Sequence, residues 1–152
     1  MLPGLKSMLN YHPLFVHFPI ALWFAALLYE ALAIWRANDE WHRTAIRLLY
    51  LGTLGAFAAA FTGWFAESSV PDTGAVRSVF EIHELLMLIT TSFAAALCLL
   101  CFAMRARFTS GMRRLLLAGL VVLAILTTMG ADRGAQLVYK FATSVNLPDA
   151  PK

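Results

Sequence analysis

The chain has 152 residues, a length that suits one compact domain, and it carries a net charge of +3. Hydrophobic residues make up 60% of the sequence and charged residues 14%, whereas a soluble domain usually carries about 25% charged residues. This deficit excludes an ordinary water-soluble domain. Because the basic residues stand at the ends of apolar runs, they indicate a lipid bilayer, and not nucleic acid, as the partner.

Four apolar runs follow one another along the chain, and a helix needs about 20 such residues to cross a bilayer. The first three runs are Leu14–Trp35, Ala45–Phe65 and Val79–Met104. The fourth begins at Leu115 and is unbroken only to Met129, about 22 Å of helix, so it must continue through residues 130–134 into the apolar 137–139. We predict an all-α fold, a four-helix transmembrane bundle that forms a single domain over residues 1–152.

The charges beside the runs predict how the helices are oriented. Basic residues gather around the connections between helices 1 and 2 and between helices 3 and 4, at Arg36, Arg43, Arg47, Arg105, Arg107, Arg113 and Arg114. Most acidic residues fall on the other side. By the positive-inside rule, we expect a multi-pass membrane protein with both basic loops in the cytoplasm and both termini outside.

Two histidines enter the predicted bundle at matched depth. His17 is the fifth residue of helix 1 counted from Pro13, and His83 is the fifth residue of helix 3 counted from Val79, so each lies about 6 Å from the outer end. Ionisable groups within spans are costly and usually face the bundle interior or mark function. We therefore expect His17 and His83 to face each other across the interior near the outer surface.

A b-type haem is the first cofactor that suits this pair, because neutral imidazole is a good ligand of haem iron. His17 and His83 would be its axial ligands, and Arg77 and Arg133 would meet its propionates. Such a protein would transfer electrons to a redox partner outside the membrane. No nucleophile–base pair or phosphate-binding loop is recognisable, and the sequence decides neither for nor against an enzyme.

A zinc, copper or iron ion without haem is the second interpretation, since mixed histidine and carboxylate ligands suit these metals. Its ligands would come from His12, His17, His83, Glu67 and Asp132. A third interpretation is a structural or accessory subunit without a cofactor, whose histidines form only hydrogen bonds between helices. A homo-oligomer is compatible with each of the three.

Other polar residues of the spans predict structure more than chemistry. Glu30 is expected to pair with an arginine on the cytoplasmic side, His42 to be a solvated loop residue, and Cys98 and Cys101 to be small packing residues. A weak internal repeat relates residues 24–36 to residues 93–105. In that alignment His17 matches His83, with three extra residues in the second copy.

Residues 12–22 read HPLFVHFPIAL and resemble the HP-x-x-VHFPIAL opening of a bacterial membrane family called Domain of Unknown Function 2231. Thr62-Gly63, Ile82-His83 and residues 136–140 (QLVYK) are also similar to that family. The resemblance implies a four-helix inner-membrane protein. Because some longer relatives carry cytochrome-c-like segments, it favours haem or electron transfer by analogy.

The chain departs from the family pattern in two places. Glu67 stands further along than the aspartate that usually follows the helix-2 glycine. Phe141-Ala142 replaces a frequent His-Gly pair, so a ligand at that point would be missing from this chain.

Overall fold

The computed structural model describes residues 11–72, 74–105 and 108–143. Four long helices make up most of this part of the chain, namely α1 (His12–Arg36), α2 (Asp39–Ala66), α3 (Gly74–Met104) and α4 (Ser110–Tyr139), with a short 3-10 turn (Glu67–Ser69) after α2. Each of the four is long and apolar enough to cross a membrane. The described residues contain no strand, and the predicted all-α transmembrane four-helix bundle is confirmed.

The fourth helix is continuous across its polar stretch, as its length required. It runs without a break from Ser110 to Tyr139, so Gly130 and Gly134 are helical residues. The first helix ends at Arg36, and the φ of 50° at its C-cap residue Ala37 places that residue in the left-handed region. The side chain of Asn38 then accepts the backbone N–H groups of the second and third residues of α2, which starts that helix at once.

The helices follow one another around a ring. Within the described residues, α2 packs against α1 and α3, and α4 also packs against α1 and α3, whereas no Cα atoms of α1 and α3 lie within 8 Å of each other. Therefore α1 and α3 are diagonal, as are α2 and α4. The core between them is built from Trp23, Leu49, Leu97, Leu120 and Leu123.

The two helical hairpins repeat each other at a constant offset of 71 residues. Buried positions 19, 23, 26 and 30 of α1 recur in α3 at 90, 94, 97 and 101, and positions 45, 49, 52, 53, 56 and 59 of α2 recur in α4 at 116, 120, 123, 124, 127 and 130. The N-cap residues Asn38 and Thr109 obey the same offset. The structural repeat therefore differs from the alignment predicted from the sequence. In the structure, the residue that corresponds to His83 is His12, and not His17.

Candidate functional site

His12 is the first residue of α1, at the end of the bundle that the charge pattern predicts to be the outer one, and it is held by the backbone of α2. Its Nδ1 is 2.9 Å from the carbonyl oxygen of Ala59 and 3.4 Å from Oγ1 of Thr62. The ring rests on Gly63, where an added Cβ would come within 3.1 Å of the imidazole Cε1. A residue larger than glycine at this position would therefore press on the ring.

His83 repeats this arrangement on α3. Its Nδ1 is 2.9 Å from the carbonyl oxygen of Gly130, and a Cβ at Gly134 would come within 3.1 Å of its Cε1. In both hairpins the histidine and the residue whose carbonyl oxygen it contacts are 47 positions apart in the sequence. The small residues Gly63 on α2 and Gly134 on α4 thus pack against histidines of the same chain.

The carbonyl partners fix which ring nitrogen carries the hydrogen. A carbonyl oxygen can only accept a hydrogen bond, so Nδ1 donates in both rings. In neutral imidazole the lone pair then lies on Nε2. The two rings also lie close enough to interact electrostatically, although they belong to diagonal helices. We call His12, His83, Gly63 and Gly134 the outer site.

His17 does not join the outer site, so the expectation that it faces His83 is wrong. It is exposed, and its Nδ1 is 3.0 Å from the carbonyl oxygen of Pro13 on its own helix. Five residues of α-helix turn the chain by about 140° beyond a full turn, so His17 and His12 cannot share a face. The buried face of α1 passes through Pro19, Trp23 and Ala26.

The predicted carboxylate and arginine partners mainly contact one another. Arg77 donates to Glu67 and to Glu81, at 3.1 Å in each case, and lies 3.8 Å from Asp72. On α4, Gln136 contacts both predicted residues: its Nε2 donates to Asp132 at 3.2 Å, and its Oε1 accepts from Arg133 at 3.3 Å.

The structure does not assemble the predicted non-haem metal site. In the part of the chain that it describes, no group of three or more His, Cys, Asp or Glu side chains is arranged to hold a metal ion. The predicted ligands are dispersed, since Glu67 is bound to Arg77, Asp132 is exposed beside Gln136, and His17 turns outward.

A second polar group, which we call the inner pair, was missed by the sequence analysis. Nδ1 of His42 is 2.7 Å from Oε2 of Glu30, and the two side chains are only 6% and 0% exposed. His42 is the fourth residue of α2 and packs edge-on against Phe108, so the expectation of a solvated loop residue is wrong. Glu30 contacts a histidine instead of the expected arginine, although Arg113 lies near enough to affect it.

Two signals in the sequence pointed toward the inner pair. An acidic residue inside an apolar span is costly unless it has a partner, so Glu30 marked a buried site. Asn38 followed by two acidic residues is typical of a helix start. That start makes the loop only two residues long, and it brings His42 back into the bundle beside α1.

Both cysteines lie inside the bundle, and Cys101 is near enough to Glu30 to interact with it electrostatically. Cys101 is buried in the core, and Cys98 is half-buried with its Sγ 3.3 Å from Oγ1 of Thr53. Both are free thiols, and Cys101 is among the residues of the hydrophobic core. The prediction that they serve as packing residues is consistent with these positions.

Comparison with known proteins gives one family. The family model described as "Predicted membrane protein (DUF2231)" matches residues 8–147, which include the whole of the bundle. A search of curated proteins and a search of solved structures return no match.

Proposed function

Since the chain belongs to the DUF2231 family of predicted membrane proteins, a description that names no activity, we propose a function from its own residues. The protein binds b-type haem between His12 and His83 and transfers electrons at the outer end of the bundle. The pair His12 and His83 replaces the pair His17 and His83, because His17 is exposed on the far face of α1.

The hydrogen bonds of the two rings support this proposal. Each imidazole donates Nδ1–H to a backbone carbonyl, so Nε2 is the nitrogen of each neutral ring that would ligate a metal. This is the usual arrangement of metal-bound histidine, because the second hydrogen bond fixes the tautomer and the orientation of the ring. Cofactor sites in helical bundles are built in this way from side chains on facing helices.

The number of protein ligands is the observation that favours haem over a bare metal ion. Structural and catalytic zinc sites take three or four protein ligands, and the described residues offer no such group. A haem brings four nitrogen ligands of its own and needs only two axial side chains. Two histidines on diagonal helices, with glycines on the flanking helices, meet that requirement.

The surroundings of the outer site give one candidate contact for each part of a haem. Met87 contacts the backbone at Gly130, next to His83, and can line an apolar cleft. Arg133 is 40% exposed and lies 4.0 Å from Asp132, so it is available to a propionate. Arg77 is already bound to three carboxylates, and it is the weaker of the two predicted propionate partners.

The proposal also includes the predicted orientation, with both termini periplasmic and a redox partner outside the inner membrane. Reporter fusions at Asn38 and at Ser110, which lie at the two basic connections, should both report a cytoplasmic position because arginines surround them. A periplasmic signal from either fusion would contradict this orientation.

The haem proposal is tested by the absorption spectrum of protein purified from cells supplied with haem precursor. We expect a Soret band in the window of about 410–430 nm that sharpens on reduction, and its loss in His83→Ala. Colourless protein that contains stoichiometric zinc, copper or iron would support the metal interpretation instead. Protein with neither would leave the structural-subunit interpretation.

A further inference from the structure

The inner pair lies at the opposite end of the bundle from the outer site, about 27 Å along α1 from His12. Glu30 and His42 share one short contact of 2.7 Å. The other oxygen of Glu30, Oε1, and the other nitrogen of His42, Nε2, are both buried and have no hydrogen-bond partner among the described residues. Buried polar atoms of this kind call for an explanation, because an unsatisfied group costs free energy.

When the contact between Glu30 and His42 holds a single proton, Oε1 of Glu30 and Nε2 of His42 are both hydrogen-bond acceptors. If Glu30 is ionised and His42 donates Nδ1–H to Oε2, the pair carries one net negative charge. Oε1 and Nε2 then each hold an unused lone pair. A second proton, bound at either atom, makes the pair neutral overall. Neutrality is favoured in a buried site, where an uncompensated charge is costly.

The pair and the groups around it together come from all four helices. Arg113 of α4 and Cys101 of α3 lie near enough to Glu30 to interact with it electrostatically, and Asp39 of α2 interacts with both Arg113 and His42. Positions 30 and 101, and likewise 42 and 113, are related by the 71-residue repeat. The repeat therefore brings four different functional groups together at one level.

An ion pair near this level reaches the exposed surface of the protein. Asp39 is 67% exposed, and its Oδ1 lies 2.5 Å from Nη2 of Arg113, which is 18% exposed. Arg113 interacts electrostatically with Glu30, and Asp39 with His42, so the ion pair borders the inner pair. The charged carboxylate of Asp39 attracts protons to this edge of the bundle.

We propose that the inner pair, Glu30 and His42, is a proton-binding site that takes up one proton from the aqueous side bordered by Asp39 and Arg113. The proton comes from water or hydronium and binds Oε1 of Glu30 or Nε2 of His42, which changes the charge of the pair from minus one to zero. The ligand is a proton and no redox change is involved. The proposal does not depend on whether haem is bound.

Infrared difference spectroscopy of the full-length protein tests this directly. Protein labelled with ¹³C-carboxyl glutamate is measured between about pH 5 and about pH 9, the range in which a histidine-coupled site titrates. We expect a protonated-carboxyl band that shifts on labelling and is lost in Glu30→Gln. The matched control is Glu40→Gln, because Glu40 is 68% exposed and paired with Arg43; it should keep the band.

His42→Gln provides the second readout. Because the imidazole contacts the Glu30 carboxyl group at 2.7 Å, its removal should move the midpoint of the Glu30 band by roughly one pH unit or more. This result supports the proposal even if Glu30→Gln fails to fold. Labelled wild-type protein without a protonated glutamate band overturns it. A band that survives in folded Glu30→Gln, or a midpoint that His42→Gln leaves in place, overturns it as well.

Discussion

The two ends of the bundle use the same internal repeat in opposite ways. At the outer end, the repeat-related positions carry identical residues, His12 with His83 and Gly63 with Gly134, in nearly identical contacts. At the inner end, the related positions carry different chemistry: Glu30 corresponds to Cys101, and His42 corresponds to Arg113.

This difference indicates what each end is suited to hold. Two equivalent histidines on diagonal helices are the residues that would hold the proposed haem. A buried acid and a buried base, placed beside a cation and a thiol, are suited to bind a proton. The repeat provides the scaffold in both cases, and local substitution determines the chemistry.

The largest expected effect of a single substitution is at the inner end. His42→Ala leaves the buried Glu30 carboxylate without its partner, which should lower the free energy of unfolding by about 3–5 kcal/mol. Cys101→Ala, at the position related to Glu30, should cost only roughly 1 kcal/mol, because no charge loses its partner. Unfolding of detergent-solubilised protein measures both, and equal losses would contradict the asymmetry of the inner end.

The outer end should instead respond symmetrically. Gly63→Ala and Gly134→Ala each place a methyl group within 3.1 Å of a histidine Cε1, and displaced rings bind haem less well. We expect both variants to lower the haem content per protein to a similar extent. Gly111→Ala is the control, since its added Cβ would lie 3.8 Å from the nearest atom, Oγ1 of Thr109, which is an ordinary contact distance. If only one of the two glycine variants lowers the haem content, the two halves of the site are not equivalent.

The helix caps should show the smallest difference between the hairpins. Asn38 accepts two backbone N–H groups, whereas Thr109 accepts one, at 3.4 Å. Asn38→Ala should therefore cost about 1 kcal/mol of unfolding free energy, and Thr109→Ala should cost less. The same unfolding assay can rank them, and the reverse order would weaken the account of the α1–α2 turn.

The helices themselves were predictable from the sequence because apolar length is a strong signal in membrane proteins. The charge-bearing extension of α4 followed from the same reasoning: Leu115–Met129 alone is too short to span, and the observed helix continues to Tyr139.

The residues of the two sites were harder to predict, for a geometric reason. Counting residues gave the depth of His17 but not its direction around α1, and a helix turns by about 100° per residue. His42 was missed because the loop was expected to extend to Ala45, whereas the cap at Asn38 starts α2 at Asp39. Rotation and caps, more than hydropathy, determine which polar residues meet in the interior.

The most direct test of the outer site compares two histidine variants of the same helix. His12→Ala and His17→Ala remove the same side chain five residues apart, one from the ring held by Ala59 and one from the exposed surface. In reduced-minus-oxidised absorption spectra at equal protein concentration, we predict that His12→Ala loses the haem signal and that His17→Ala keeps it. Retention of the signal in His12→Ala, or its loss in His17→Ala, would contradict the assignment of His12 as the partner of His83.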